Sequence, residues 1–191
     1  MKKRIAILVG GSDLFSGLRG ISTGTKIIRE SISPFFDETL AINYNYFLDF
    51  GITLRKLVTR LQREYAPSEL FLYGYSKGGE LVLQLSRMVE ETHAVPLLIT
   101  VDIANGPWSA KIDRSVPANV KKNINVYQKN SRPPLFSYGL PAYSHNTAAI
   151  QNIDLSDKTI RDRQVNHSNI EMLVVQQVIG WLKEESRIRP E

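Results

Sequence analysis

The chain has 191 residues, 42% of them hydrophobic, with a formal net charge of +5 and no cysteine. This length suits one domain that buries an apolar core without metals or disulfides, so we expect a single domain over residues 1–191. The lack of cysteine excludes disulfide scaffolds, thiolate metal sites and cysteine nucleophiles. The excess positive charge lies at both ends and in residues 111–132 without a recognition motif, which argues against a nucleic-acid partner.

A short apolar run follows the charged residues at the start of the chain. Residues 4–9 are typical of a buried strand, and the Gly-Gly-Ser-Asp sequence at 10–13 ends it. The run is too short for a secretory signal and no small-residue cleavage site follows, so we interpret it as the first strand. No stretch approaches the ~18 apolar residues of a membrane span, which predicts a soluble, cytoplasmic protein.

Short apolar segments alternate with amphipathic ones along the whole chain, which predicts an α/β fold. The expected strands are residues 4–9, 40–47, 70–73, 96–101, 120–128 and 149–155. The expected helices are residues 26–32, 52–65, 81–89 and a last one that follows a capping-box pattern, Ser168-Asn169-Ile170-Glu171, and ends near Lys183. Crossover helices are not evident beside the fifth strand, so irregular loops must supply that return path.

A serine flanked by glycines carries the strongest chemical signal. The sequence Gly-Tyr-Ser-Lys-Gly at 74–78 lies between the apolar run 70–73 and the helical pattern 81–89. A serine on such a tight strand-to-helix turn presents its hydroxyl at the carboxyl edge of the sheet, and the amide of Lys77 lies at a helix N-terminus. The pattern predicts Ser76 as a nucleophile and Lys77 as an oxyanion donor, although the same five letters also occur in ordinary loops.

Three histidines are available as the base that a serine nucleophile requires. His93 ends the helix that follows Ser76, which directs it away from the carboxyl edge. His145 lies in a loop rich in proline and aromatic residues, whereas His167 lies between the sixth strand and the last helix, at the edge where Ser76 is expected. We therefore predict His167 as the base, with His145 as the alternative.

An aspartate must orient the histidine, and Asp102 directly follows the fourth predicted strand, next in sequence to the strand of Ser76. We predict Asp102 in this role. Aspartates at strand ends are also common turn formers. The alternatives on loops or strand ends are Asp113, Asp154, Asp157 and Asp162.

The order Ser76, Asp102, His167 on alternating strands and helices resembles the α/β-hydrolase family. The Gly-Tyr-Ser-Lys-Gly-Gly turn is especially similar to the nucleophile turn of cutinases and related small lidless lipases and esterases. The resemblance implies a mostly parallel sheet of about six strands in the order 2-1-3-4-5-6, flanked by helices and without a lid domain. By position, residues 10–12 match the second oxyanion loop of that family, with Ser12 as the amide donor beside Lys77.

Two loops that leave the carboxyl edge carry aromatic residues suited to an acyl pocket. The predicted substrate-binding residues are Gly11, Trp108, Phe136, Tyr138 and Tyr143. The alternative is that these aromatic side chains cover the core where crossover helices are missing. Lys111, Arg114 and Arg132 favour a leaving group with negative charge, such as a phosphorylated carrier, so a thioester of that carrier stays open as a substrate beside a simple ester.

The sequence thus predicts a serine hydrolase that cleaves a carboxylic ester or thioester through an acyl-enzyme intermediate, with no cofactor and no metal. Its expected partner is a small acyl ester or thioester, and the oligomeric state stays open. One alternative is a non-catalytic α/β binding or assembly domain that retains the turn. A second is a nucleotide-binding domain in which residues 10–12 hold phosphate, but neither G-x-G-x-x-G nor the P-loop motif is present.

Overall fold

A six-stranded parallel sheet forms the centre of the protein. The structure is a computed structural model, which describes residues 2–11, 21–43, 51–104, 109–131, 139–160 and 162–187. The strands are β1 (Lys3–Gly10), β2 (Glu38–Asn43), β3 (Ser68–Tyr75), β4 (Ala94–Val101), β5 (Val120–Tyr127) and β6 (Ala149–Asp154). They lie in the order β2-β1-β3-β4-β5-β6, and each neighbouring pair is parallel. The predicted strand order is confirmed.

Helices cover both faces of this sheet. They are α1 (Thr23–Ile32), α2 (Ile52–Glu64), α3 (Lys77–Met88) and α4 (Ile170–Arg187), with short 3₁₀ turns at Ser33–Phe35 and Ser109–Lys111. The apolar side chains of α1 and α4 form one core with alternate residues of the strands, and those of α2 and α3 form the other. Because successive strand residues point to opposite faces, a strand segment buried on both faces is apolar throughout, as residues 5–9 of β1 are. A small antiparallel hairpin joins β7 (Thr159–Ile160) to β8 (Arg163–Gln164).

The start of the last helix differs from the sequence prediction. The capping box does not form, because Glu171 is buried and accepts hydrogen bonds from Ser22, Thr25 and Tyr73 instead of a cap amide. The backbone carbonyl of Asn166 accepts the amide of Ile170 at 3.1 Å. A carboxylate that pairs with distant hydroxyls leaves its local capping role to the main chain.

The described residues of the connection between β5 and β6, 128–131 and 139–148, are irregular rather than helical. The side chain of Asn125 donates to the carbonyl of Leu140 at 3.0 Å, and Asn152 exchanges two hydrogen bonds with the backbone of Ala142, at 2.8 and 2.9 Å. These amides satisfy backbone groups that a helix would satisfy internally. Ala142 belongs to the same core as α2 and α3, so this part of the chain helps to cover the same face of the sheet as those helices.

No helix within the described ranges is long and apolar enough to cross a membrane.

Candidate active site

Ser76 occupies the sharp turn between β3 and α3. Its backbone angles are φ 56° and ψ −123°, a conformation that costs free energy for any residue with a side chain. The amide of Ser76 donates to the carbonyl of Val101 at 2.9 Å, which fixes the turn to the end of β4. Ser76 is therefore held in a strained conformation by the ends of two central strands.

The glycines on both sides of Ser76 are required by close backbone contacts. A Cβ atom on Gly74 would lie 2.4 Å from the carbonyl oxygen of Gly78, and one on Gly78 would lie 2.2 Å from the carbonyl oxygen of Val9. Both distances are shorter than real Cβ contacts allow. A side chain at either position would push α3 away from the sheet, so the pentapeptide reflects packing as well as chemistry.

The structure brings Ser76, His167 and Asp102 together in one line of hydrogen bonds. The Oγ atom of Ser76 lies 2.9 Å from Nε2 of His167, and Nδ1 of the same ring lies 2.7 Å from Oδ2 of Asp102. An ionised carboxylate only accepts hydrogen bonds, so Nδ1 carries the ring proton and Nε2 faces the serine with its lone pair. This arrangement prepares Nε2 to accept the hydroxyl proton of Ser76.

Asp102 is fully buried at the end of β4, and it too has a positive φ, of 46°. Besides His167, its carboxylate accepts hydrogen bonds from Nε2 of Gln128 at 2.8 Å, from the amide of Gln128 at 3.4 Å and from the amide of Gly139 at 2.9 Å. A buried carboxylate is tolerated only where donors replace water. Donors from three residues therefore hold this carboxylate in place and keep it an acceptor for the imidazole.

The backbone of His167 is fixed at both of its polar groups. Its amide donates to Oγ of Ser131 at 2.9 Å, and its carbonyl accepts a hydrogen bond from the hydroxyl of Tyr75. The ring of Tyr75 stacks on the imidazole with centroids 5.4 Å apart. The side chain of His167 is 12% exposed, so the ring is packed on several sides while solvent still reaches it.

Three residues of this site were not predicted from the sequence. Tyr75 was assigned only to the pentapeptide and Gln128 only to the end of the fifth strand, and Ser131 was assigned no role. The one available signal was the polar Gln128 at the end of a buried strand, where unpartnered polar side chains are uncommon. Its partner Asp102 is 26 residues away in sequence, which no local pattern reveals.

The predicted oxyanion side of the site is described in part. Lys77 begins α3, so its amide lies at a helix N-terminus, where partial positive charge favours an anion. Gly11 lies against the nucleophile, because a Cβ atom on Gly11 would be 2.8 Å from Cβ of Ser76. Ser12 lies outside the described residues. Burial lowers the pKa of the Lys77 ammonium group, and the Glu80 carboxylate opposes that shift.

The other two histidines, and the alternative aspartates Asp113 and Asp154, contact other parts of the protein. The ring of His145 packs edge-on against Tyr143, and His93 is buried after the end of α3. The Asp113 carboxylate pairs with Arg87 in the last turn of α3, and Asp154 pairs with Lys129. None of these side chains forms a described hydrogen bond with Ser76 or His167.

Of the two predicted substrate-binding residues that the structure describes, Gly11 lies beside Ser76 and Tyr143 does not. The hydroxyl of Tyr143 donates to Asp113, which pairs with Arg87 near the end of α3, whereas Ser76 precedes the start of that helix. Tyr143 therefore lies beside the far end of α3, because its loop crosses the sheet face. Trp108, Phe136 and Tyr138 lie outside the described residues.

Of the cations predicted to favour an anionic leaving group, Arg114 is used within the fold. Arg114 is 3% exposed, and its guanidinium donates to the carbonyls of Ile103, Ser109 and Ile112. Burial lowers the pKa of Arg114. This side chain holds the loop that follows Asp102 and is not presented to a ligand in solution. Lys111 is exposed, and Arg132 lies outside the described residues.

Within the described ranges, no group of three or more His, Asp or Glu side chains is arranged to hold a metal ion.

No protein-family model matches the chain, and no curated protein sequence matches it. Among solved structures, the chain is similar to alpha/beta hydrolase domain-containing protein 10 from mouse, with a TM-score of 0.57. The similarity covers 96% of this chain and 90% of the mouse chain, at 12% sequence identity. At this identity the similarity concerns the fold, which is therefore α/β-hydrolase-like.

Proposed function

We propose that the protein is a serine hydrolase that cleaves a carboxylic ester or thioester through an acyl-enzyme intermediate. The observation that carries the proposal is the hydrogen-bonded line from Ser76 through His167 to the buried Asp102. The strained backbone of Ser76 and the hydrogen bonds that hold the buried Asp102 carboxylate support it, because backbone strain and buried ionisable groups are concentrated at functional sites.

In the acylation step, Oγ of Ser76 attacks the carbonyl carbon of the substrate while Nε2 of His167 takes the hydroxyl proton. Asp102 stabilises the imidazolium that forms and holds its Nδ1 proton. Collapse of the tetrahedral intermediate breaks the bond to the alcohol or thiol, which leaves with the proton returned by Nε2. The product of this step is an ester of Ser76 with the acyl group.

In the deacylation step, water takes the place of the leaving group. His167 removes a proton from that water, the resulting oxygen attacks the acyl carbon, and the Ser76 ester bond breaks. The proton passes from Nε2 to Oγ, which restores the serine and releases the carboxylic acid. The same residue thus serves as base and then as acid in each half of the cycle.

Negative charge on the substrate oxygen requires donors that are in place before reaction. We assign the amide of Lys77 as one donor, because it begins α3 directly after the nucleophile. We assign the amide of Ser12 as the second, since Gly11 lies against Ser76 and Ser12 is the next residue. Both are backbone groups, so the assignment does not depend on the lysine or serine side chain.

The substrate class remains an ester or a thioester, with Trp108, Phe136 and Tyr138 as the proposed acyl-binding residues. The burial of Arg114 weakens the reason for an anionic leaving group. p-Nitrophenyl esters of increasing chain length, compared with acyl-thioesters at low and high salt, separate the two classes. A rate that depends on chain length supports an acyl pocket, and a thioester rate unaffected by salt argues against an anionic carrier.

The test of the proposal itself is the Ser76→Ala variant. It should remain folded and lose ester hydrolysis by a factor on the order of 10⁴ or more. Hydrolysis at the wild-type rate by folded Ser76→Ala would overturn the proposal. If the wild type neither hydrolyses these esters nor reacts with a fluorophosphonate, which labels nucleophilic serines, the non-catalytic α/β domain is favoured instead.

A further inference from the structure

Gln128 directly follows β5, and its fully buried side chain contacts two parts of the site at once. Its Oε1 atom accepts the amides of Asn130 at 2.6 Å and Ser131 at 3.0 Å. Backbone amides only donate, so this end of the side chain must be the carbonyl oxygen. The NH₂ end therefore faces Asp102, to which it donates at 2.8 Å.

The two ends of the Gln128 side chain support the two partners of the hydrogen bond between Asp102 and His167. The NH₂ group binds Oδ2 of Asp102, the same oxygen that accepts Nδ1 of His167. The carbonyl group fixes the turn at Ser131, whose hydroxyl accepts the backbone amide of His167 at 2.9 Å. One side chain thus connects the acid with the main chain of the base.

We propose that Gln128 is a positioning residue that aligns the Asp102 carboxylate with the His167 ring. This inference rests on the proposed function, since it concerns the residues that activate Ser76. An amide is suited to the task because it donates to the carboxylate and accepts from the turn without adding charge to a buried site. An ionised carboxylate cannot donate and a hydrocarbon can neither donate nor accept, whereas the amide does both at neutral pH.

The Gln128→Glu variant tests this role because it retains the shape and the oxygen that holds the turn. When protonated, the new acid still donates to Asp102. When the new carboxyl group is ionised, it repels the Asp102 carboxylate and can no longer donate a hydrogen bond to it. Among the described residues, the titratable and charged groups that face the pair are the His167 imidazole and the Arg114 guanidinium, which interacts electrostatically with Asp102, while Lys129 pairs with Asp154.

The measurement is the second-order rate of labelling by a fluorophosphonate from pH 6 to pH 9. The ratio of the Gln128→Glu rate to the wild-type rate should fall by about tenfold or more as pH rises, because the shared proton is lost. Ser131→Ala removes only the bond to the His167 backbone, so its ratio should be below one and independent of pH. Gln62→Glu, on the exposed face of α2, adds the same charge at the surface and should give a ratio near one throughout.

A pH-independent ratio for Gln128→Glu would overturn the proposal. A second measurement needs no activity and so separates this inference from the proposed function. The low-field proton NMR resonance of the His167 Nδ1 proton should shift or disappear in folded Gln128→Met and persist in Ser76→Ala. An unchanged resonance in Gln128→Met would contradict the role of Gln128 even if the protein proved to be an esterase.

Discussion

The phenol ring of Tyr75 stacks on the imidazole of His167, with 23° between the two ring planes, and its hydroxyl donates to the carbonyl of His167. Tyr75 immediately precedes Ser76 in the chain, so one tight turn carries both the hydroxyl and a support for the ring that faces it. The turn therefore positions two of the three hydrogen-bonded side chains.

Two substitutions of Tyr75 should separate the effect of the ring stacking from that of the hydroxyl hydrogen bond. Tyr75→Phe keeps the stacked ring and loses one hydrogen bond, so the rate of fluorophosphonate labelling should fall only about two- to tenfold. Tyr75→Ala loses both contacts and should lower the rate on the order of 10²-fold, because the imidazole is no longer held near Oγ. Equal rates for Tyr75→Ala and the wild type would show that the stacking has no part in positioning His167.

Gly11 gives a test of the space beside the nucleophile. In Gly11→Ala the new methyl group would lie 2.8 Å from Cβ of Ser76, so the turn or the end of β1 must shift. We expect labelling to slow on the order of 10²-fold while the circular dichroism spectrum stays that of the wild type. The matched control is Gly180→Ala in α4, where nothing lies within 4 Å of the new methyl group.

That control should be stabilising, since alanine favours the helix over glycine by up to about 1 kcal/mol. Its labelling rate should equal that of the wild type. A wild-type labelling rate in Gly11→Ala would mean that the reaction of Ser76 does not depend on the position of the chain at residue 11.

Much of this architecture could be predicted from the sequence, because buried parallel strands are apolar throughout and helices show a repeating apolar face. The meeting of Ser76, Asp102 and His167 followed from sheet geometry, since each was expected to emerge at the carboxyl edge of the sheet. Their catalytic roles stay predictions.

Long-range partners could not be predicted. Glu171 illustrates why, because a glutamate three residues after Ser168 fits a local capping box and equally fits a buried contact with distant residues. The structure favours the second arrangement, in which Ser22 lies 149 positions away. The contacts of Gln128 and Tyr75 were missed for the same reason.

Glu171 should contribute to stability through these hydroxyl donors. Glu171→Ala removes the carboxylate that accepts from Ser22, Thr25 and Tyr73 and leaves only the contact between the Ser22 and Thr25 hydroxyls, so the free energy of unfolding should fall by about 1–3 kcal/mol. Urea unfolding followed by circular dichroism measures the change, and the control is Glu184→Ala on the exposed face of α4. Equal destabilisation by the two substitutions would contradict the buried network.

His93 should make stability depend on pH. Burial lowers its pKa below the ordinary value of about 6.5, so the unfolded chain binds more protons than the folded chain when the pH drops below that value. The free energy of unfolding should be at its full value above about pH 6.5 and should decrease as the pH falls through the folded pKa. His93→Gln should flatten this part of the profile.

Urea unfolding between pH 5 and pH 8 measures the dependence, with His145→Gln as the matched control at an exposed histidine. Parallel profiles for the wild type and His93→Gln would show that His93 is not the group responsible.

Treatment of the protein with a fluorophosphonate, followed by mass spectrometry to locate the adduct, tests directly whether Ser76 is the nucleophile. We expect one adduct, on the Oγ atom of Ser76, in the wild type and in Ser33→Ala, which removes an exposed serine hydroxyl in the 3₁₀ turn after α1. We expect no adduct in Ser76→Ala. An adduct on another residue, or one that persists in folded Ser76→Ala, would contradict the claim that Ser76 is the nucleophile.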